Sequence, residues 1–142
     1  MDFVILDVET TQNQITKKEE IIEFSAIKID SKFQELSKLY YLINPKVPLT
    51  FITKKVTGIT EKDLINKPAI SEIIVEISEF LSSNKIIAHN AKFDKNAVSY
   101  AFEKNNLQKP LNAYIDSLKI AKLLFPDELL EYVAFPSLTE LL

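Results

Sequence analysis

The sequence contains no cysteine and only one histidine. The first absence excludes a disulfide framework, thiol catalysis and cysteine-ligated zinc. The second excludes histidine-rich metal centres and chemistry that needs two imidazoles. Glycine occurs once and arginine not at all, so all 17 basic residues are lysine. Isoleucine, lysine and asparagine are abundant, the usage of an AT-rich coding sequence. A glycine or arginine missing from a motif therefore carries little weight. No apolar run approaches the ~20 residues of a membrane span. No basic stretch leads into an apolar one at Met1, so the expected compartment is the cytoplasm. The net charge of −3 argues against a long basic patch for duplex nucleic acid. What remains is ordinary globular material: 142 residues, 46% hydrophobic and 26% charged. That is enough for one domain with its own core.

Phe3 to Val8 is an apolar run broken only by Asp7, which predicts a strand buried on both faces. Ile21 to Ile29 and Lys38 to Ile43 predict two more strands, and short connections suit an antiparallel meander. The spacing of Ile70, Ile73, Ile74, Ile77, Phe80 and Leu81 then predicts a helix after Pro68. Lys85–Ala88 reads as a strand, Ala91–Lys104 as a helix, Tyr114-Ile115 as a strand and Ser117–Leu124 as a helix. Pro136-Ser137 reads as the start of another. The order βββ, then αβαβα, predicts an α/β fold with a mixed five-stranded sheet.

Asp7 and Glu9 lie two apart on the first strand, hence on one face. Two acids there repel and resist desolvation. A divalent cation offsets that cost, and oxygen-only ligands suit Mg²⁺ or Mn²⁺. Two solvated acids at a strand end are the plainer alternative. Asp94 falls in the first turn of the helix that follows Lys85–Ala88. The helix dipole alone favours an acid there. Placed at the carboxyl edge of the sheet, where open α/β folds bind ligands, it could instead face Asp7 and Glu9.

Asp7-Val8-Glu9-Thr10-Thr11 resembles the first motif of DnaQ-like (DEDDh) 3′–5′ exonucleases, whose fold is ribonuclease-H-like. His89-Asn90-Ala91-Lys92-Phe93-Asp94 resembles their second. Val56-Thr57-Gly58-Ile59-Thr60 and Ile115-Asp116-Ser117-Leu118 match two further family segments, in the right order. The pattern looks closest to the exonuclease domains of PolC-type polymerases, and nearly as close to those of DinG-like proteins. The resemblance implies a two-metal mechanism, with Asp7, Glu9 and Asp94 holding Mg²⁺ or Mn²⁺ ions ~3.5–4 Å apart. It implies contact of Thr10 with the terminal nucleotide through its backbone. Val56, Thr57 and Phe93 would form the base and sugar pocket, with Asn90 orienting the backbone or substrate beside Asp94. The implied partner is a single-stranded 3′ end, of DNA or RNA. The implied setting is a larger replication or repair protein.

Three features depart from the pattern. Gln12 stands where the family often has glycine, and a positive φ there would strain it. The third motif, H-x-x-x-x-D, which supplies a general base and a fourth carboxylate, is not found after Phe135-Pro136-Ser137-Leu138. The expectation is thus one domain over residues 1–142, cut short at its C-terminus, with little or no activity alone. A non-catalytic relic that keeps the fold as a nucleotide-binding or docking module is the alternative. His89 and Asp94 also fit H-x-x-x-x-D, but their context is that of the second motif, which makes His89 structural. Asp116 reads as a structural acid bonding backbone amides. Asp127, Glu128 and Glu131 read as loop acids, and Tyr132 does not complete a tyrosine variant of the third motif. Lys54, Lys55 and Lys92 are candidates for phosphate contacts.

Overall fold

The computed structural model describes residues 2–12 and 18–125. Three strands come first: β1 (Phe3–Thr10), β2 (Ile21–Ile29) and β3 (Glu35–Leu42). Then follow α1 (Phe51–Thr57), α2 (Glu61–Leu64), α3 (Ile70–Leu81), β4 (Lys85–Ala88), α4 (Lys92–Lys104), β5 (Tyr114–Asp116) and α5 (Ser117–Leu124). The expected order holds, with two short helices added. Neither FITKKVT nor EKDL has helical apolar spacing; their caps define them. Thr50 Oγ1 accepts the Thr53 N–H at 3.0 Å, and Gly58 closes α1 at φ 74°. Only glycine takes that left-handed turn without a Cβ penalty. Asp63 Oδ2 accepts from both the N–H and the hydroxyl of Thr60, at 2.8 and 2.7 Å.

The sheet order is β3-β2-β1-β4-β5. The β1–β2 and β2–β3 pairs are antiparallel, while β1–β4 and β4–β5 are parallel. The chain builds outward from β1 on one side, then crosses over and builds outward on the other. The strand order therefore reverses between β1 and β4, and ligands bind at the carboxyl ends of such a switch point.

One face of the sheet packs on α3 and α4. Ile73, Ile74, Ile77 and Leu81 of α3 meet Val4, Leu6, Val8, Phe24 and Ile86 of the sheet. Burying a side chain of this size contributes about 1.5–3 kcal/mol. A smaller cluster joins Ile22 to Leu49, Ile59 and Leu64. β1 departs from the expectation of burial on both faces. Its even residues are buried, while Phe3, Ile5, Asp7 and Glu9 are half-exposed, because only the even face lies under α3 and α4. β3 begins earlier than expected, at Glu35. It is a mostly exposed edge strand, where Glu35 and Lys38 pair and charge discourages further strand addition. The expectations for residues 127–142, including the helix start at Pro136-Ser137, lie outside the described residues.

Candidate active site at the carboxyl ends of the central strands

β4 ends at Ala88, whereas β1 runs on to Thr10. Beyond the last β1–β4 pair, Ile5 with Ile87, the backbone of β1 has no parallel partner. Asp94 fills part of that gap. From the first turn of α4, its Oδ1 accepts the Val8 N–H at 3.1 Å. Val8 sits between Asp7 and Glu9. The hydrogen bond thus places an acid from the far side of the chain against the backbone that carries the other two.

The electrostatics agree with this placement. Asp94 is only 2% exposed. Burial first, then the charge of Asp7, pushes its carboxyl up to about 7, against the opposing pull of the Val8 N–H; Glu9 adds to the rise. Glu9 is likewise pushed up to about 7, by burial, then Asp7, then Glu23. Each acid resists ionising because of burial and, after it, because of its acidic neighbours. None of the ion pairs among the described residues involves Glu9 or Asp94. An all-carboxylate donor set of this kind fits a hard divalent cation, which would offset both the burial and the mutual repulsion. The side chains as placed do not close around one point: among the described residues no three His, Cys, Asp or Glu side chains are gathered as a metal-ion site.

Around these acids the other expected residues take distinct places. Thr10 is fully buried, and its hydroxyl donates to the Glu19 carboxylate. α1 is fixed beside the strand end by the Thr53 hydroxyl, which donates to the Thr11 carbonyl. On α1, Val56 is 61% exposed. The Thr57 hydroxyl is used within the loop, donating to Thr53 O at 2.8 Å and accepting the Ile59 N–H at 3.1 Å. Phe93 borders a recess of about 230 Å³ with Glu19, Asn96, Ala97 and Tyr100. Asn90 turns the chain from β4 into α4 at φ 62°, and its N–H donates to Asp116 Oδ1 at 3.1 Å. Asp116 also accepts the Leu118 and Lys119 N–H groups at 3.0 and 3.4 Å, the structural part expected of it. His89 Nδ1 lies 3.2 Å from Ser117 Oγ. Gln12 has φ 49°, the conformation for which a glycine is the usual choice. Lys54 pairs with Glu61 at 3.1 Å, while Lys55 and Lys92 are exposed.

Sequence reasoning missed Glu23. It is only 8% exposed and directly opposite Glu9 across β1 and β2, and its Oε1 accepts the Tyr40 hydroxyl at 2.8 Å. A carboxylate inside the apolar run IIEFSAI was the available signal.

Solved structures share this architecture. Exonuclease X in complex with 5′-overhanging duplex DNA superposes with a TM-score of 0.64, at 23% identity, over 88% of this chain and 65% of that one. The metal-free complex of E. coli exonuclease I with single-stranded DNA gives 0.77, at 20% identity, over 89% of this chain and 31% of that one. The fold is that of the ribonuclease-H-like exonucleases. Residues 4–142 match the RNase T family model, described as exonuclease, and the chain belongs to that exonuclease family. It is 32% identical over 125 residues to the PolC-type DNA polymerase III of Bacillus cereus, covering 88% of this chain and 9% of the polymerase. The corresponding polymerase of Caldanaerobacter subterraneus is 32% identical over 126 residues, covering 89% of this chain and 9% of that protein. The chain thus spans less than a tenth of the length of these relatives.

Proposed function

We propose that residues 1–142 form a metal-dependent 3′–5′ exonuclease domain that removes the terminal nucleotide of a DNA strand. The observation that carries this reading is the Asp94–Val8 hydrogen bond, which brings the helix acid onto the backbone between Asp7 and Glu9. Asp7, Glu9 and Asp94 would hold Mg²⁺ or Mn²⁺. Such ions supply charge stabilisation and an activated water for breaking the bond between phosphorus and the 3′ oxygen. The chain's own part is to position charge and to receive the strand end. Val56 offers an exposed apolar surface on α1, and Phe93 borders the recess formed with Glu19 and Tyr100. Apolar and stacking contacts of this kind accept any base. Exposed Lys55 and Lys92 supply phosphate contacts. The complexes of exonucleases X and I with DNA support a DNA end as substrate, and the PolC-type relatives support service within, or beside, a larger replication protein.

A binding module without catalysis is the second reading. His89 is the sole histidine, and its Nδ1 lies 3.2 Å from Ser117 Oγ, at the start of α5. One assay separates the two. The chain is incubated with a 3′-labelled single-stranded oligonucleotide and Mn²⁺. Slow release of mononucleotides that stops in Asp7→Asn supports the exonuclease. Mn²⁺-dependent binding of the oligonucleotide without release supports the module. Release that persists in both Asp7→Asn and Asp94→Asn refutes the site.

A further inference from the structure

Glu23 is a nearly buried acid that the three-carboxylate site does not use. It sits in β2 with its Cα paired to that of Glu9. Like charges directly opposite across an antiparallel pair destabilise a sheet. The sequence nonetheless places a second glutamate there, and the ladder slips at this step: Glu9 faces Glu23, while Thr10 faces Ile21. That bulge sends Ile21 into the main core and Ile22 into the smaller cluster beside α2. Bulges of this type re-aim side chains next to functional sites. One strand further out, the Tyr40 hydroxyl donates to Glu23 Oε1 at 2.8 Å. Burial and that bond push the Tyr40 hydroxyl up to about 12, so it remains a donor at every physiological pH. Glu9 and Glu23 are thus directly opposed, and Tyr40, paired with Ser25 two residues along β2, reaches Glu23 diagonally from β3.

We propose that Glu23, fixed by Tyr40, is a positioning residue for Glu9: it biases the Glu9 carboxylate away from β2, toward the side where Asp94 stands, and adds outer negative charge that tightens divalent-cation binding. This rests on the reading of Asp7, Glu9 and Asp94 as cation ligands. Outer partners of metal ligands are worth 10–100-fold in metal affinity in well-studied sites. The fold also contains a matched control. Tyr41, the next residue, donates to Glu76 of α3 on the opposite face of the sheet. The chemistry is the same, but the pair lies on the helix-covered side.

The test is titration of the full chain with Mn²⁺ alone, read by calorimetry and by thermal melting at pH 8. Glu23→Gln keeps an acceptor for Tyr40 but loses the charge. It should bind Mn²⁺ about 10-fold more weakly. Its metal-free form should melt at or above the wild type, since a repulsion has gone. Tyr40→Phe should also weaken Mn²⁺ binding while lowering the metal-free melting temperature, and it carries the test should Glu23→Gln fail to fold. Glu76→Gln should leave Mn²⁺ affinity unchanged. A folded Glu23→Gln protein that binds Mn²⁺ as tightly as the wild type, while Asp94→Asn does not bind, would overturn the positioning role and leave the cation site standing. A wild type that binds no Mn²⁺ would overturn both.

Discussion

Asp94 and Asp116 look alike in sequence, since each follows a short parallel strand and opens a helix. Their surroundings make them opposites. Asp116 caps α5 and also ties down the turn after β4, so backbone amides from two directions point at one of its oxygens. Asp94 receives the Val8 amide and its own, and otherwise faces two more acids under burial. The first arrangement neutralises a charge with dipoles and is complete. The second sets acid against acid under burial, and the carboxyls are pushed up rather than down. Acids pushed up by burial and like-charge neighbours cluster at functional sites, which marks Asp94 as the candidate and Asp116 as the structural acid.

Asp94→Asn should have the largest effect. The amide oxygen can still accept the Val8 N–H, so the fold persists. Cation affinity should fall by at least the 10–100-fold seen when outer partners are changed, and melting curves with and without Mn²⁺ should coincide. Metal-free, the variant should melt above the wild type at pH 8, because a buried charge is gone.

Next comes pH. Glu9 and Asp94 titrate near 7 in the folded chain, above their ordinary values of 4.5 and 3.8. Between those limits the folded state binds more protons than the unfolded one, so these groups lower stability as pH rises. Metal-free melting temperature should therefore decline from about pH 5 to pH 8, and the decline should be shallower in Asp94→Asn. A melting temperature that rises through that window and is indifferent to the substitution would break the contrast with Asp116.

Asp116→Ala should cost about 0.5–2 kcal/mol of stability, the usual worth of a helix cap, when followed by chemical denaturation. Its Mn²⁺ affinity should not change. The smallest effect is at Asn90, whose positive φ shapes the same turn. Replacing it with alanine should cost about 1 kcal/mol, and with glycine close to nothing.

Strong periodicity made much of the fold readable. α3 and β4 fall where apolar spacing puts them, and strand parity and motif context point to Asp7, Glu9 and Asp94 as the candidate acids. α1 was hidden because FITKKVT is rich in β-branched residues and only seven residues long. Its helix depends on Thr50, Gly58 and the Thr53 tie to Thr11, and the last of these joins residues 42 apart. Glu23 was hidden for a related reason. Nothing local says that it faces Glu9; the β1–β2 register and its bulge do. The half-exposure of one side of β1 also escaped prediction, since helix placement rather than the apolar run decides it.

The central claim is that Asp7, Glu9 and Asp94 are ligands of one cation site. Crystals of the chain soaked in Mn²⁺ and measured at the manganese edge test it directly. The account predicts anomalous density between the carboxyl end of β1 and the start of α4, with carboxylate oxygens of all three acids about 2.1 Å from the ions, near the octahedral spacing of Mg²⁺. Manganese found elsewhere, or ligated without Asp94, would contradict it.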